Sequence, residues 1–232
     1  AAAMVDRAPP NVDPARLLSV RDTQKGLEAL AVAARARSHA RIVAVTGSVG
    51  KTGTKEALAK VLADQGRTHA SAGNLNNHIG TPLSLARMPG DVRYAVFELG
   101  MNHAGEIAPL SRMVKPHAAI VTTVEAVHLE YFADVGAIAD AKAEIFEGLG
   151  AGGTAILNRD NAQFDRLVSR ARALGVGRVW SFGEAGREAR LLSATLGPDG
   201  STAEATILGR RIAFHLPLPG KHQLRNALAV LL

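Results

Sequence analysis

The 232-residue sequence contains no cysteine. That absence excludes disulfide frameworks, thiolate metal sites and cysteine nucleophiles. Aromatic residues are almost as scarce: six Phe, two Tyr and one Trp make 4% of the chain. Aromatic side chains are the stacking platforms on which single-stranded nucleic acids are held, and so few cannot supply them. No apolar run approaches the ~18 residues of a membrane span, and residues 1–10 lack the charged-then-apolar layout of a secretory signal. A soluble, cytoplasmic protein is the expectation. There are no internal repeats, and no low-complexity tract beyond a bias towards alanine.

What is present is ample aliphatic content. Hydrophobic residues make 47% of the chain, which rules out global disorder and supports a packed core. The length suggests one large domain or a domain and a half. Lys and Arg number 27 against 21 acids, a net charge of +6, with an isoelectric point of 10.1. The surplus is spread thinly, and its densest stretch, 35–41, reads as the solvated end of a helix. Such a balance suits polyanionic small molecules as well as nucleic acid, and no nucleic-acid partner is expected.

From Arg41 onward the pattern is strand, Gly-rich turn and helix, repeated. Short apolar runs at 42–45, 94–97, 118–121, 154–157 and 178–180 alternate with helical segments, which implies a parallel sheet covered on both faces. Between about 190 and 219 the rhythm changes to alternation around a Gly-Pro-Asp-Gly turn, as in antiparallel strands. The expected fold is therefore α/β: a parallel sheet flanked by helices and carrying a phosphate loop, with a small antiparallel sheet. Ahead of it, 1–38 reads as a tail and connecting helix, capped at Asp22 or Thr23, with Leu27, Leu30 and Ala34 on one face. A last helix begins near His222 and carries Leu224, Leu228 and Leu231 on its apolar side. The sequence stops inside that helix without a stop signal, so a fragment or a cut at a domain boundary is expected.

The strongest chemical signal is Thr46-Gly47-Ser48-Val49-Gly50-Lys51-Thr52, placed where a strand ends and a helix begins. Glycines let backbone N–H groups turn inward, the helix N-terminus adds partial positive charge, and a lysine reaches terminal phosphates. The Thr52 hydroxyl is placed for a magnesium ion. The first glycine of the full phosphate-loop pattern is missing, since Val45 holds its place. Glu98 ends an apolar strand, where open parallel sheets bind ligands, and a carboxylate there suits Mg²⁺, a hard ion that prefers oxygen. By residue type alone, His128 reads equally as a surface histidine, Lys142 as a solvated helical lysine, and Asn74, Asn76 and Asn77 as turn chemistry or a polar substrate loop.

Taken in order, VTGSVGKTGTKEAL (45–58), GNLNNHIGTPLSL (73–85), FELGMNHAGEI (97–107), VEAVHLEYF (124–132), AKAEIFEGL (141–149) and GKHQLRNALA (220–229) resemble the Mur ligases, ATP-dependent amide-forming enzymes of peptidoglycan synthesis. The Asn-rich loop and the ELGMNHAGEI stretch favour the branch that adds D-alanyl-D-alanine to UDP-N-acetylmuramoyl-tripeptide. The resemblance implies that Thr46, Gly47, Ser48, Gly50, Lys51 and Thr52 hold ATP, with His222 and Asn226 at its adenine. It implies that Thr52, Glu98 and His128 ligate Mg²⁺, and that Lys142 is a carbamylated lysine helping to hold a second ion. Lys51, Lys142 and His128 would be the catalytic set, and Asn74, Asn77, Asn102 and His103 the substrate side. His78 stands where an acidic residue is expected, and Gly53 where a hydroxyl residue is usual.

The implied organisation is 1–38 as the tail of an N-terminal UDP-substrate domain with its connecting helix, and 39–232 as the central ATP-binding domain. A C-terminal Rossmann-like domain would be absent, leaving the isolated chain nearly inactive. A monomer is expected. The alternatives are another Mur ligase, a folylpolyglutamate synthase-like ligase, or a P-loop kinase or nucleotide switch.

Overall fold

The computed structural model describes residues 2–127 and 130–232. A two-stranded parallel ribbon, β1 (Ala3–Val5) with β2 (Leu17–Ser19), leads into α1 (Thr23–Arg37). Asp22 caps α1, its Oδ1 accepting from Gln24 N at 2.8 Å and Lys25 N at 3.1 Å. The buried face of α1 is Ala31 and Ala34, while Leu30 is turned out to solvent at 45% exposure. Of the expected face, Ala34 is buried and Leu27 half-buried, and Ala31 takes the place of Leu30. Small alanines let α1 lie close to its neighbours, and a leucine in that line would hold it away.

The body follows as β3 (Arg41–Thr46), α2 (Lys51–Ala63), β4 (Thr68–Ala70), α3 (Gly80–Ala86), β5 (Tyr94–Glu98), α4 (Ile107–Val114), β6 (Ala118–Val121) and α5 (Val135–Ala143). A 3-10 turn over Glu144–Gly148 leads on to β7 (Thr154–Asn158), α6 (Phe164–Ala173) and β8 (Arg178–Gly183). The chain closes with β9 (Ala189–Gly197), β10 (Gly200–Ile207), β11 (Arg210–Leu216) and α7 (Lys221–Val230). One nine-stranded sheet runs β11-β10-β9-β8-β7-β6-β3-β5-β4. Strands β3 to β9 pair in parallel, while β9-β10-β11 are antiparallel. The antiparallel strands are thus a wing of the main sheet, joined through Phe182 opposite Ala189.

The period-2 alternation of strands divides the core between the two faces. On β3, Ile42 and Ala44 join a cluster with residues of α1, α3, α4, α5 and α6. Val45 on the same strand joins the other cluster, beneath Leu58 of α2 and Leu224 and Leu228 of α7. Leu231, expected on that apolar side, is 40% exposed because it falls past the end of α7. Helix α1 packs on α3 and α4, so it is part of the covering layer.

Phe97, fully buried in β5, is among the largest side chains of the core. Phe97→Ala is expected to lower unfolding stability by about 3–5 kcal/mol through a cavity that close packing cannot refill. Denaturant unfolding checks this, and a loss below about 1 kcal/mol would show that the site collapses freely.

Candidate functional site

Parallel pairing sets Val45 opposite Glu98 and Thr46 opposite Val121, so β3, β5 and β6 deliver their carboxyl ends to one line. The loop from Gly47 to Gly50 leaves β3 there and enters α2 at Lys51. Both glycines are required by geometry. Gly47 has φ +149° and Gly50 φ +86°; a methyl on Gly47 would collide with the Thr122 hydroxyl, and one on Gly50 with the Asn226 amide. The loop is stapled to the segment after β6. Ser48 N donates to Thr123 O at 2.8 Å, Glu125 N donates to Ser48 Oγ at 2.9 Å, and Thr122 Oγ1 donates to Val49 O at 2.6 Å. The Ser48 side chain is thus a brace of the loop. The N-terminus of α2 opens beside it, with the unpaired N–H groups and partial positive charge that attract anions.

Lys51 Nζ folds back to donate to Gly47 O at 2.7 Å. Burial holds its amine below the ordinary lysine value, with the Glu98 charge working the other way. Thr52 Oγ1 donates to Glu98 Oε2 at 2.9 Å, and Asn76 Nδ2 to Glu98 Oε1 at 2.7 Å. Glu98 is 2% exposed, and Ser71 Oγ accepts its backbone N–H at 3.1 Å. One turn along α2, the buried Lys55 donates from Nζ to Gly73 O at 2.9 Å, tying the Asn-rich loop to the phosphate-loop helix.

Lys142 sits near the end of α5 and is buried. Burial first, and the nearby Lys51 charge second, bring its amine down to about 7. Its Nζ makes no hydrogen bond or ion pair among the described residues. A helical lysine of this kind is an amine held substantially neutral at physiological pH, the form that reacts with electrophiles. His128 lies outside the described residues.

The remaining candidates divide. Asn226 of α7 packs its side-chain amide on Gly50, whereas His222 is exposed. Asn77 Oδ1 accepts from Ile79 N at 3.1 Å and Gly80 N at 2.8 Å, so its side chain shapes the start of α3. Asn74 is exposed. Asn102 and His103 occupy an exposed turn after β5 that Glu106 organises, through Asn102 N at 2.8 Å and His103 Nδ1 at 3.0 Å. Glu144 fixes the far side of that turn by accepting from the backbone of Gly105, Ile107 and Ala108. Apart from its chain neighbours and its own helix, nothing among the described residues lies within 4 Å of where a side chain on Gly53 would begin. The exposed His78 is tied to α1 by its carbonyl, which accepts from Gln24 Nε2 at 2.7 Å. Sequence reasoning missed Lys55 and the Asn76–Glu98 bond. The only available signals were a lysine inside an otherwise amphipathic helix and the crowding of asparagines.

Among the described residues no three His, Cys, Asp or Glu side chains form a cage. The oxygen donors present, one hydroxyl and one carboxylate, are the sparse set from which Mg²⁺ sites on phosphates are built. A cavity of about 1140 Å³ lies elsewhere, at the opposite ends of the strands beside Arg41, Tyr94, His117, Thr154 and Arg178. The chemical groups decide the location of the site here, since that cavity contains none of the candidates.

The family description "Mur ligase middle domain" matches residues 45–232. The chain belongs to the Mur ligases. UDP-N-acetylmuramoyl-tripeptide–D-alanyl-D-alanine ligase of Escherichia coli K12 is 39% identical over 231 residues, 99% of this chain and 50% of that protein. MurF from Acinetobacter baumannii superposes with a TM-score of 0.89 at 31% identity, over 98% of this chain and 49% of that one. The MurF ligase of Thermotoga maritima in complex with ADP gives 0.85 at 27% identity, over 99% and 52%. This Mur ligase chain therefore spans about half the length of the relatives it matches.

The Lys142 amine has a testable consequence for stability. Its value is about 7 when folded against 10.5 for an ordinary lysine. Between those values the unfolded chain holds the extra proton, so stability rises with pH across the window, and the cost of burying the ammonium is fully present below about 7. In metal-free, bicarbonate-free buffer, Lys142→Met should stabilise the chain most below pH 7, with the gain shrinking as pH rises towards 10.5. Denaturant midpoints across pH check this; a gain independent of pH would contradict the assigned environment.

Proposed function

We propose that this chain is the nucleotide-binding middle part of a ligase that uses ATP to join D-alanyl-D-alanine to UDP-N-acetylmuramoyl-tripeptide in peptidoglycan synthesis. In this reading 1–38 ends an N-terminal UDP-substrate domain and connects it to the central domain, 39–232. The enzyme is a cytoplasmic monomer. The observation that carries the reading is the Thr52–Glu98 pair, a hydroxyl and a buried carboxylate in contact beside Lys51 and the open end of α2.

The roles follow from chemistry. Lys51 leaves the loop carbonyls it caps and takes the ATP phosphates, while the loop N–H groups hold them from beneath. Asn226, packed on Gly50, would meet the adenine of the nucleotide from α7. Thr52 and Glu98, with His128, would hold Mg²⁺, which offsets the charge of the phosphates as two anions are brought together. Asn76 fixes the Glu98 carboxylate from its second oxygen. Lys142 supplies a neutral amine whose nitrogen can bond to the carbon of CO₂ with loss of a proton, giving a carbamate suited to a second Mg²⁺. Asn74, Asn77, Asn102 and His103 lie towards the peptide substrate.

The tripeptide's terminal carboxylate attacks the γ-phosphorus of ATP, and ADP leaves. The neutral amine of D-alanyl-D-alanine then attacks the acyl carbon of the resulting acyl phosphate, and the amide forms as the C–O bond to phosphate breaks and the nitrogen gives up a proton. Positioning and charge neutralisation dominate such transfers. Residues outside this chain must bring the dipeptide and close the site, so the 232-residue chain alone should turn over poorly.

The test is phosphate release by the complete polypeptide that carries this chain, with Mg-ATP and UDP-N-acetylmuramoyl-tripeptide, with and without D-alanyl-D-alanine. Release should require the dipeptide and fall by roughly two orders of magnitude or more in Lys51→Ala, the scale of losing a transition-state charge contact. Release indifferent to D-alanyl-D-alanine would sink the ligase assignment.

A further inference from the structure

Beside its apolar face, helix α7 is tied to the end of the sheet by a charge cluster that the proposed chemistry leaves unused. Glu184, just past β8, accepts from Lys221 Nζ at 2.8 Å and from an Arg225 terminal nitrogen at 3.0 Å. Lys221 and Arg225 are four residues apart, one turn of α7, so both reach the same carboxylate from one helical face. The Glu184 segment is itself fixed. Asp160, after β7, accepts the backbone N–H groups of Glu184 and Ala185, each at 2.8 Å, and Arg190 Nε donates to Glu184 O at 3.1 Å. Arg225 Nε is buried, has no hydrogen-bond partner among the described residues, and lies 3.6 Å from Asp160. The arginine therefore spans two loops at the carboxyl edge of the sheet.

The next residue along α7 is Asn226. A step of one residue turns the helix by about 100°, and from there the Asn226 amide lies over Gly50 of the phosphate loop, where a side chain on Gly50 would displace it. The apolar face of α7, Leu224 and Leu228, seats the helix beside Leu58 of α2; on that seat the Asn226 contact bears on one side and the pull of Glu184 on Arg225 and Lys221 on the other.

We propose that the Arg225–Glu184 pair is a positioning device for the nucleotide: it fixes the distance of Asn226 from the phosphate loop and so tunes nucleotide affinity without touching the nucleotide. This rests on the reading that ATP occupies that loop. Exposed ion pairs contribute little to stability, and Glu184 is 45% exposed. Arg225 is less so, at 32%, and the cluster uses both of its sides. Its effect is expected on the geometry between two elements, which binding reads directly.

The experiment is calorimetric titration of Mg-ADP into the chain and into Arg225→Met, Arg225→Lys, Glu184→Gln and the Arg225→Met/Glu184→Gln double variant. Methionine keeps an apolar stem of similar reach, and lysine keeps the charge. Arg225→Met and Glu184→Gln should each weaken binding about fivefold, and the double variant no more than the worse single one, the signature of coupled residues. Arg225→Lys should recover most of the loss, which a purely packing role would not give. The deficit of Arg225→Met should also narrow as salt screens the pair. Wild-type affinity in either single variant would overturn the proposal. So would fully additive losses, which would mean that Arg225 meets the nucleotide itself. If the wild-type chain does not bind Mg-ADP, the nucleotide reading falls before the clamp is reached.

Discussion

The hydroxyl of Thr52 reaches the carboxylate of Glu98 because β3 and β5 run in parallel with Val45 opposite Glu98. A slip of one residue would turn the Glu98 side chain to the other face of the sheet. It would also break the Asn76 bond that holds the second carboxylate oxygen. Strand register is specified by burial on both faces, through Ile42 and Ala44 on one side and Val45 on the other. The hydrophobic core thereby sets a polar site to within the length of a hydrogen bond.

Three ionisable side chains lie almost wholly out of water in this region: Glu98 and Lys55 at 2% exposure and Lys142 at 3%. Burying charge is costly unless it is partnered, and the chain meets the cost unevenly. Glu98 has two side-chain donors and Lys55 has the Gly73 carbonyl. Lys142 responds instead by giving up its proton near neutrality. Departures from ordinary burial rules concentrate where a fold performs chemistry, and here they gather at the carboxyl end of β5 and on the helices α2 and α5.

Much of the fold was legible. The short apolar strands, the turn at 197–200 and the phosphate loop each carry a local signal in composition or spacing. β4 was not, because Thr68-His69-Ala70 is short and shows no apolar pattern; its place at the sheet edge comes from pairing with β5. On α1, Leu30 was expected inside and Ala31 lies there instead, because side-chain size hides that alanine, more than leucine, suits close helix contact. Within the site, Lys51, Thr52 and Glu98 could be read from position in strand–turn–helix units. Asn76 could not be told from Asn74 and Asn77, since the choice depends on a contact 22 residues away in sequence. Nor does anything in the spacing around Lys142 reveal its burial.

Thr52 and Glu98 are proposed to build a cation site that a bound nucleotide completes. The direct measurement is ADP affinity with and without Mg²⁺, in the wild-type chain and in Glu98→Gln. Magnesium should tighten ADP binding to the wild type and fail to do so in Glu98→Gln, while the metal-free affinities of the two stay close. An equal tightening by magnesium in both chains would contradict the account.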